Sequence, residues 1–315
     1  MSAPILVGYS PQTADRGPIN FGVAVSHFTG APLVVAAVFP GGSDIDVLSG
    51  GEFGGDAHGD KTGLQQLQSE LAAEGVDAST KVVEHSTPAR GLARAVEETD
   101  PRLVVIGSTR RGRLGRVLPG STAERLIHGS PRPVVVVPHA YEVPEQGLRT
   151  VGAAFVPTDE GRAALRTAAA IARAAGARVL ATMVLSPKHA AEMSPGLMAH
   201  AHHEESPAED LHARHRIEAT DELENAITEL AGGVEVERDV LFQHPAEGLE
   251  AASQRVDLLV MGSRAYGPAR AVMLGGVSRQ VTASASCPVL VLPRGAEDQI
   301  EALLATAEGR AAPDG

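Results

Sequence analysis

Short apolar runs alternate with longer amphipathic stretches along this chain, and the whole alternation occurs twice. In the first half the runs fall at 4–9, 33–39, 80–85, 103–106 and 134–137; in the second they fall at 151–156, 179–185, 234–241, 258–261 and 289–292. Continuous β-branched runs such as VVVV at 134–137 predict strands covered on both faces. Between the first two runs of the second half, Leu165, Ala168, Ile171, Ala172 and Ala175 recur at helical spacing and stop at Gly176. That spacing predicts a helix, and a glycine is a suitable place to end one. Strands alternating with helices imply a parallel sheet with right-handed crossovers. Each half therefore reads as a doubly wound α/β domain with a five-stranded parallel sheet flanked by helices.

The duplication extends to individual positions, and such internal repeats decide the fold. From Pro11 and Pro157, through Gly30 and Gly176, to Val38 and Val184, the halves align without a gap at a constant offset of 146. Further on, Pro88 and Pro245 each precede an A-x-x-L step. Gly107 and Gly262, Gly120 and Gly275, and Pro133 and Pro288 then hold a common offset of 155. The expected domains are residues 1–140 and 149–294, joined by a short polar link. Two long connections interrupt the pattern, one Gly-rich at 41–62 and one His-rich at 186–216. Residues 295–315 read as a tail that opens as a short helix around Ile300, Leu303 and Leu304 and ends disordered.

Composition narrows the function classes. The 315 residues suit two domains of ordinary size. With 43% hydrophobic and 21% charged residues, the chain belongs among globular proteins. No run approaches a membrane span and the N-terminus lacks a signal-peptide pattern, so a cytoplasmic protein is expected, with no membrane partner. A net charge of −12 argues against nucleic acid as a partner. Aromatic residues make up 3% and tryptophan is absent, so Ala, Val, Leu and Ile must build the core. The single cysteine, Cys287, cannot form an internal disulfide and reads as a small buried hydrophobe.

The candidate chemistry lies in two glycine frames, GSTRRGRLGRVLPGST at 107–122 and GSRAYGPARAVMLGGV at 262–277. Each begins directly after a predicted strand and reaches a second glycine just before a helical stretch. Open α/β sheets bind ligands beyond the carboxyl ends of their strands, and phosphate favours a helix N-terminus. Arg110, Arg111, Arg113 and Arg116 crowd the first frame, where guanidinium groups match phosphate oxygens. They read equally well as solvated surface arginines.

With VVIGSTRRGRLGRVLPGSTAERLIHGSPRPVVVVP and LVMGSRAYGPARAVMLGGVSRQVTASASCPVLVLP, the chain resembles the universal stress protein family in its tandem form. ATP-binding members of that family carry G-x2-G-x9-G-[ST] on a five-stranded α/β domain. Carried over by position, the resemblance implies a cofactor-binding set of Gly107, Arg110, Gly120, Ser121 and Thr122 in the first unit. In the second it implies Gly262, Gly275, Gly276, Val277 and Ser278, with Val38 and Val184 at the ends of the second strands. The implied ligand is ATP with magnesium, bound weakly, in a stress-linked regulatory protein that is not an enzyme. The family's pairing through its last strand implies an internal pseudo-dimer and allows a homodimer.

Several positions depart from that pattern. Arg110 and Ala265 stand at its second glycine, Gly276 at its Ser/Thr, and Ser10 and Val156 where ATP-binding members place an aspartate near the adenosine. Losing a hydrogen bond to a charged group costs about 1.5–3 kcal/mol, or about 10- to 150-fold in affinity. The alternative is thus a protein that binds no nucleotide and acts through protein partners. An adenylyl transferase would need paired His or Lys motifs that the frames lack.

The remaining signals read as structural. GGDAHGDKT at 54–62 resembles a phosphate loop, but Asp60 separates Gly59 from Lys61 and no strand leads into it; SGG at 49–51 lies in the same linker. His200, His202, His203, His212 and His215 read as part of an exposed lid or helix rather than a metal site. Asp159 and Glu160 read as first-turn acids that favour a helix dipole.

Overall fold

The computed structural model describes residues 3–39, 57–108, 121–186, 207–263 and 276–308. Unit one runs β1 (Ile5–Tyr9), α1 (Gly17–Thr29), β2 (Leu33–Phe39), α2 (Ala57–Ala73), β3 (Ala78–Glu84), α3 (Pro88–Thr99), β4 (Leu103–Gly107), α4 (Ser121–Gly129) and β5 (Val134–Val137). Unit two repeats the sequence as β6 (Thr150–Phe155), α5 (Asp159–Ala175), β7 (Arg178–Leu185), α6 (Pro207–Leu230), β8 (Val236–Phe242), α7 (Pro245–Ser253), β9 (Leu258–Gly262), α8 (Gly276–Ser284) and β10 (Val289–Leu292). A last helix, α9 (Glu297–Glu308), follows.

The ten strands among the described residues form one sheet in the order β3-β2-β1-β4-β5-β10-β9-β6-β7-β8. Every pairing is parallel except β5 with β10, where Val136 faces Val289, Val135 faces Leu290 and Val134 faces Val291. The two closing apolar runs therefore pair with each other and bury the edges each unit would otherwise expose. The remaining edges carry charge. Lys81 on β3 pairs with Glu98 at 2.8 Å, and Asp239 on β8 pairs with Arg255 at 2.6 Å. Such charges discourage edge-to-edge association.

Strand alternation sorts the core onto two faces. On one face, Ile5, Val7, Leu103, Val105, Val151 and Val260 pack with α1, α2, α5, α6 and α9. On the other, Leu6, Val104, Ile106, Leu259, Met261 and Val291 pack with α3, α4, α7 and α8. Gly30 and Gly176 end α1 and α5, both at φ 66° in the left-handed region.

Two expectations change and one is extended. The short helix expected at the head of the tail runs for twelve residues as α9, and its Ile300, Leu303 and Leu304 are buried across the seam against α1 and α5. The two long connections are shortened by helices the sequence reading left out. α2 begins at Ala57 within the Gly-rich stretch, and α6 begins at Pro207 within the His-rich one. His215, expected on an exposed lid or helix, is 4% exposed on α6 because its face of that helix packs on the sheet. Residues 49–56, including SGG, and His200, His202 and His203 lie outside the described residues.

Candidate functional site

In each unit the first strand is the switch point of the sheet. The chain leaves β1 toward β2 on one side and returns through β4 on the other; β6, β7 and β9 repeat this. A ligand crevice in such a sheet opens beyond the carboxyl ends of β1 and β4, or of β6 and β9. Gly107 is the last residue of β4 and Gly262 the last of β9, so both glycine frames start at these crests.

Both glycines are explained first by packing. A Cβ at Gly262 would lie 2.7 Å from the Glu160 carbonyl oxygen, because the first turn of α5 rests on it. At Gly107 a Cβ would meet Pro18 Cγ at 3.0 Å and Asp15 Oδ2 at 3.5 Å. Close helix–strand approach therefore requires glycine at 262 and favours it at 107, whether or not a ligand is present.

The opposite face carries the polar opening. The residues that follow, Ser108 and Ser263, extend the ladder by donating their amides to Val137 O at 2.8 Å and Leu292 O at 2.9 Å. Alternation turns their side chains toward the α4 and α8 side, where both hydroxyls are buried without a hydrogen-bond partner among the described residues. Ser263 is 1% exposed. Ser121 and Thr122 open α4, while Gly276, Val277 and Ser278 open α8, and Ser278 Oγ makes a long contact of 3.5 Å to Gly262 O. Gly262 and Ser278 are thus brought together. Arg110, Arg111, Arg113, Arg116, Gly120, Ala265 and Gly275 lie outside the described residues.

Val38 and Val184 occupy equivalent places near the ends of β2 and β7. Each leans on a helix glycine, Val38 on Gly91 of α3 and Val184 on Gly248 of α7, where any Cβ would collide. Ser10 and Val156 are both exposed just beyond β1 and β6, so the two crests present a hydroxyl in one unit and an apolar branch in the other.

Sequence reasoning missed two bridges across these crests. In unit one Asp15 Oδ2 lies 2.9 Å from His139 Nδ1, and Asp15 Oδ1 accepts from the amides of Gly17 at 3.0 Å and Ala140 at 3.2 Å. In unit two Arg294 pairs with Glu160 Oε1 at 3.1 Å. His139 and Arg294 follow the closing apolar runs at the same 155-residue offset as the glycines, and that offset was the available signal. The acids escape it, since Asp15 and Glu160 are not equivalent by the 146-residue offset.

Two other groups have shifted acidities. Burial, with the nearby Asp257 carboxylate, pushes both the Tyr141 phenol and the Cys287 thiol well above their ordinary values. Tyr141 stays protonated and donates to Asp257 O at 3.3 Å, while Cys287 is unsuited to nucleophilic chemistry. Among the described residues no group of His, Cys, Asp and Glu is arranged to hold a metal ion, and no helix is long and apolar enough to cross a membrane.

Two doubly wound units, joined edge to edge and each with a glycine-serine crest facing a helix N-terminus, define a tandem α/β protein. The sequence model of the universal stress protein family matches it twice, over residues 1–138 and 148–293, and the chain belongs to that family. A universal stress protein of Mycobacterium tuberculosis is 29% identical over 227 residues, which are 70% of this chain and 74% of the relative. Another from the same organism is 30% identical over 232 residues, covering 70% and 72%. Among solved structures, a putative universal stress protein from Pseudomonas aeruginosa covers 98% of both chains at 16% identity and a TM-score of 0.66. One from Archaeoglobus fulgidus covers 94% of this chain and all of its own at 19% identity and a TM-score of 0.60. At those identities the structures bear on the fold alone.

Proposed function

We propose that this tandem universal stress protein is a regulatory module that takes the phosphates of an adenine nucleotide at its crests and has no dedicated catalytic step. The observation that carries the reading is the pair of buried hydroxyls of Ser108 and Ser263, without a partner among the described residues, on the face of the sheet where α4 and α8 pack. An unsatisfied buried hydroxyl costs about 1–3 kcal/mol, and a phosphate oxygen held by helix amides would relieve it. On this reading Gly107, Ser121 and Thr122, with Arg110 and Gly120, hold the ligand in the unit spanning 1–140. Gly262, Gly276, Val277 and Ser278, with Gly275, hold it in the unit spanning 149–294, and Val38 and Val184 flank the crevices. These hydroxyl and amide groups suit phosphate oxygens, and a magnesium ion carried in by the nucleotide would offset the ligand's charge.

Native mass spectrometry of the purified chain, repeated after addition of ATP and magnesium, tests this. One or two nucleotide additions are expected, with one lost in Gly120→Val. A bare mass at every ATP concentration, from folded protein, would sink the reading. A second reading, action through protein partners alone, draws on the Asp15 and Glu160 carboxylates at the crests, where they repel an incoming anion. The bare mass is its expected result.

A further inference from the structure

Antiparallel pairing of β5 with β10 points the two crests toward opposite ends of the sheet. Each crest therefore lies on the same side as the strand beginnings, or base, of the other unit. The chain leaving each crest crosses the seam and fastens to that base, at equivalent places.

From crest one, His139 and Ala140 hang on Asp15, whose side chain is 9% exposed. The next residue, Tyr141, sets its ring edge on Phe21 of α1, 6.3 Å between centroids at 62°. Its hydroxyl crosses to the Asp257 carbonyl at the start of β9. Asp257 Oδ2 in turn accepts from the amides of Arg149 at 2.8 Å and Thr150 at 2.9 Å, where β6 begins. Gly17 lies beneath this strap, and a Cβ there would sit 3.1 Å from Tyr141 N.

From crest two, Arg294 is held by Glu160 and the chain turns into α9. Gln299 Oε1 of α9 accepts from Arg102 at 2.6 Å and from Arg132 at 2.5 Å, both at the base of unit one. Arg102 and Asp257 directly precede β4 and β9 and are equivalent at the 155-residue offset, as are His139 and Arg294. The two ties therefore share a design with unrelated side chains, and the first is the more buried, since Arg294 is 65% exposed.

We propose that each crest is coupled to the base of the other unit through these ties. A change at the Asp15–His139 bridge loosens the base of unit two around Asp257, and a change at the Glu160–Arg294 bridge loosens the base of unit one around Arg102. Asp15 and Glu160 are positioning residues in this scheme, acting through the strap and α9. That a nucleotide supplies the change rests on the function proposed above; the coupling itself does not.

Hydrogen exchange of the full chain, read by mass spectrometry, tests it in Asp15→Ala, Asp15→Asn and Glu160→Ala. Asp15→Ala is expected to speed exchange about tenfold at the amides of Arg149 and Thr150, while the β7 and β8 peptides stay unchanged. Asp15→Asn, whose amide oxygen still accepts from Gly17 and Ala140, falls between that variant and the parent. Glu160→Ala speeds exchange at α9 and Arg102 by a smaller factor. Unaltered exchange at 149–150 in Asp15→Ala overturns the coupling, as does a uniform rise over the whole chain, which would mark plain destabilisation. With ATP, an adduct that alters exchange at 149–150 supports ligand control, and an adduct that leaves it unaltered overturns it. Absence of any adduct removes the nucleotide reading and leaves the Asp15→Ala result to decide the coupling.

Discussion

The first helices of the two units end alike and begin differently. Both stop at a left-handed glycine, yet α5 has 17 residues and α1 has 13, so unit one lacks a first turn that its ungapped alignment allots to it. Pro18 is the physical reason. A proline ring fits only the first turn of a helix, because deeper in it would strike the carbonyl four residues back. Residues 11–16 instead close on themselves, with the Thr13 and Ala14 amides both 3.1 Å from Ser10 O and Ala14 at φ 49°. That turn swings Asp15 inward to the crest. Unit two has no such block, and Thr158 caps α5 with Asp159 and Glu160 in its first turn, as the dipole favours. The repeat thus conserves the place where a carboxylate meets the residue after the last strand, while the backbone that delivers it differs.

The sharpest way to break that equivalence is to add a methyl group at each crest. In Gly262→Ala the new Cβ meets the backbone of α5, which cannot yield without moving the helix, and a loss of about 3 kcal/mol is expected. Gly107→Ala meets the edge of the Pro18 ring, which needs to give by only a few tenths of an ångström, and about 1 kcal/mol is expected. Urea unfolding measures both. Labelling of Cys287, shielded in unit two, locates the damage: it should quicken in Gly262→Ala and hardly change in Gly107→Ala. Equal losses would mean that the crests pack alike after all.

The central strands were legible because they are nearly continuous apolar runs with partners on both faces, and their shortness and β-branched content mark them as strands. The pairing of Val134–Val137 with Val289–Leu292 was an expectation of the family resemblance, and it covers two edges that would invite aggregation if left open. The α1 start was not legible. The alignment from Pro11 to Gly30 hides a change from helical turn to open turn that depends on one proline and on where Asp15 finds donors. α9 was underestimated for a related reason: Ile300, Leu303 and Leu304 show a short apolar stripe, but only the joined units create the seam it covers. At the candidate site the glycine frames were readable but did not single out Ser108 and Ser263, and the bridges join residues 124 positions apart in unit one, where local spacing carries no trace of them.

The smallest expected effects concern how each first helix is capped. Thr158 accepts from the Gly161 amide at 3.3 Å, so Thr158→Ala should cost about 1 kcal/mol. Arg16 stands at the same position before α1 and caps nothing with its side chain. Its guanidinium pairs with Glu70 at 2.5 Å, but both side chains are about 40% exposed, and solvent leaves such a pair with little net stability. Arg16→Ala is therefore expected to cost less than Thr158→Ala in the same urea titration, because the buried Gly17 amide is already satisfied by Asp15. A larger loss in Arg16→Ala than in Thr158→Ala would shift the anchoring of α1 from Asp15 to the Arg16–Glu70 pair. The strap would then hang on a turn that is itself held from α2, and its tie to crest one would be weaker than the buried contacts of Asp15 imply.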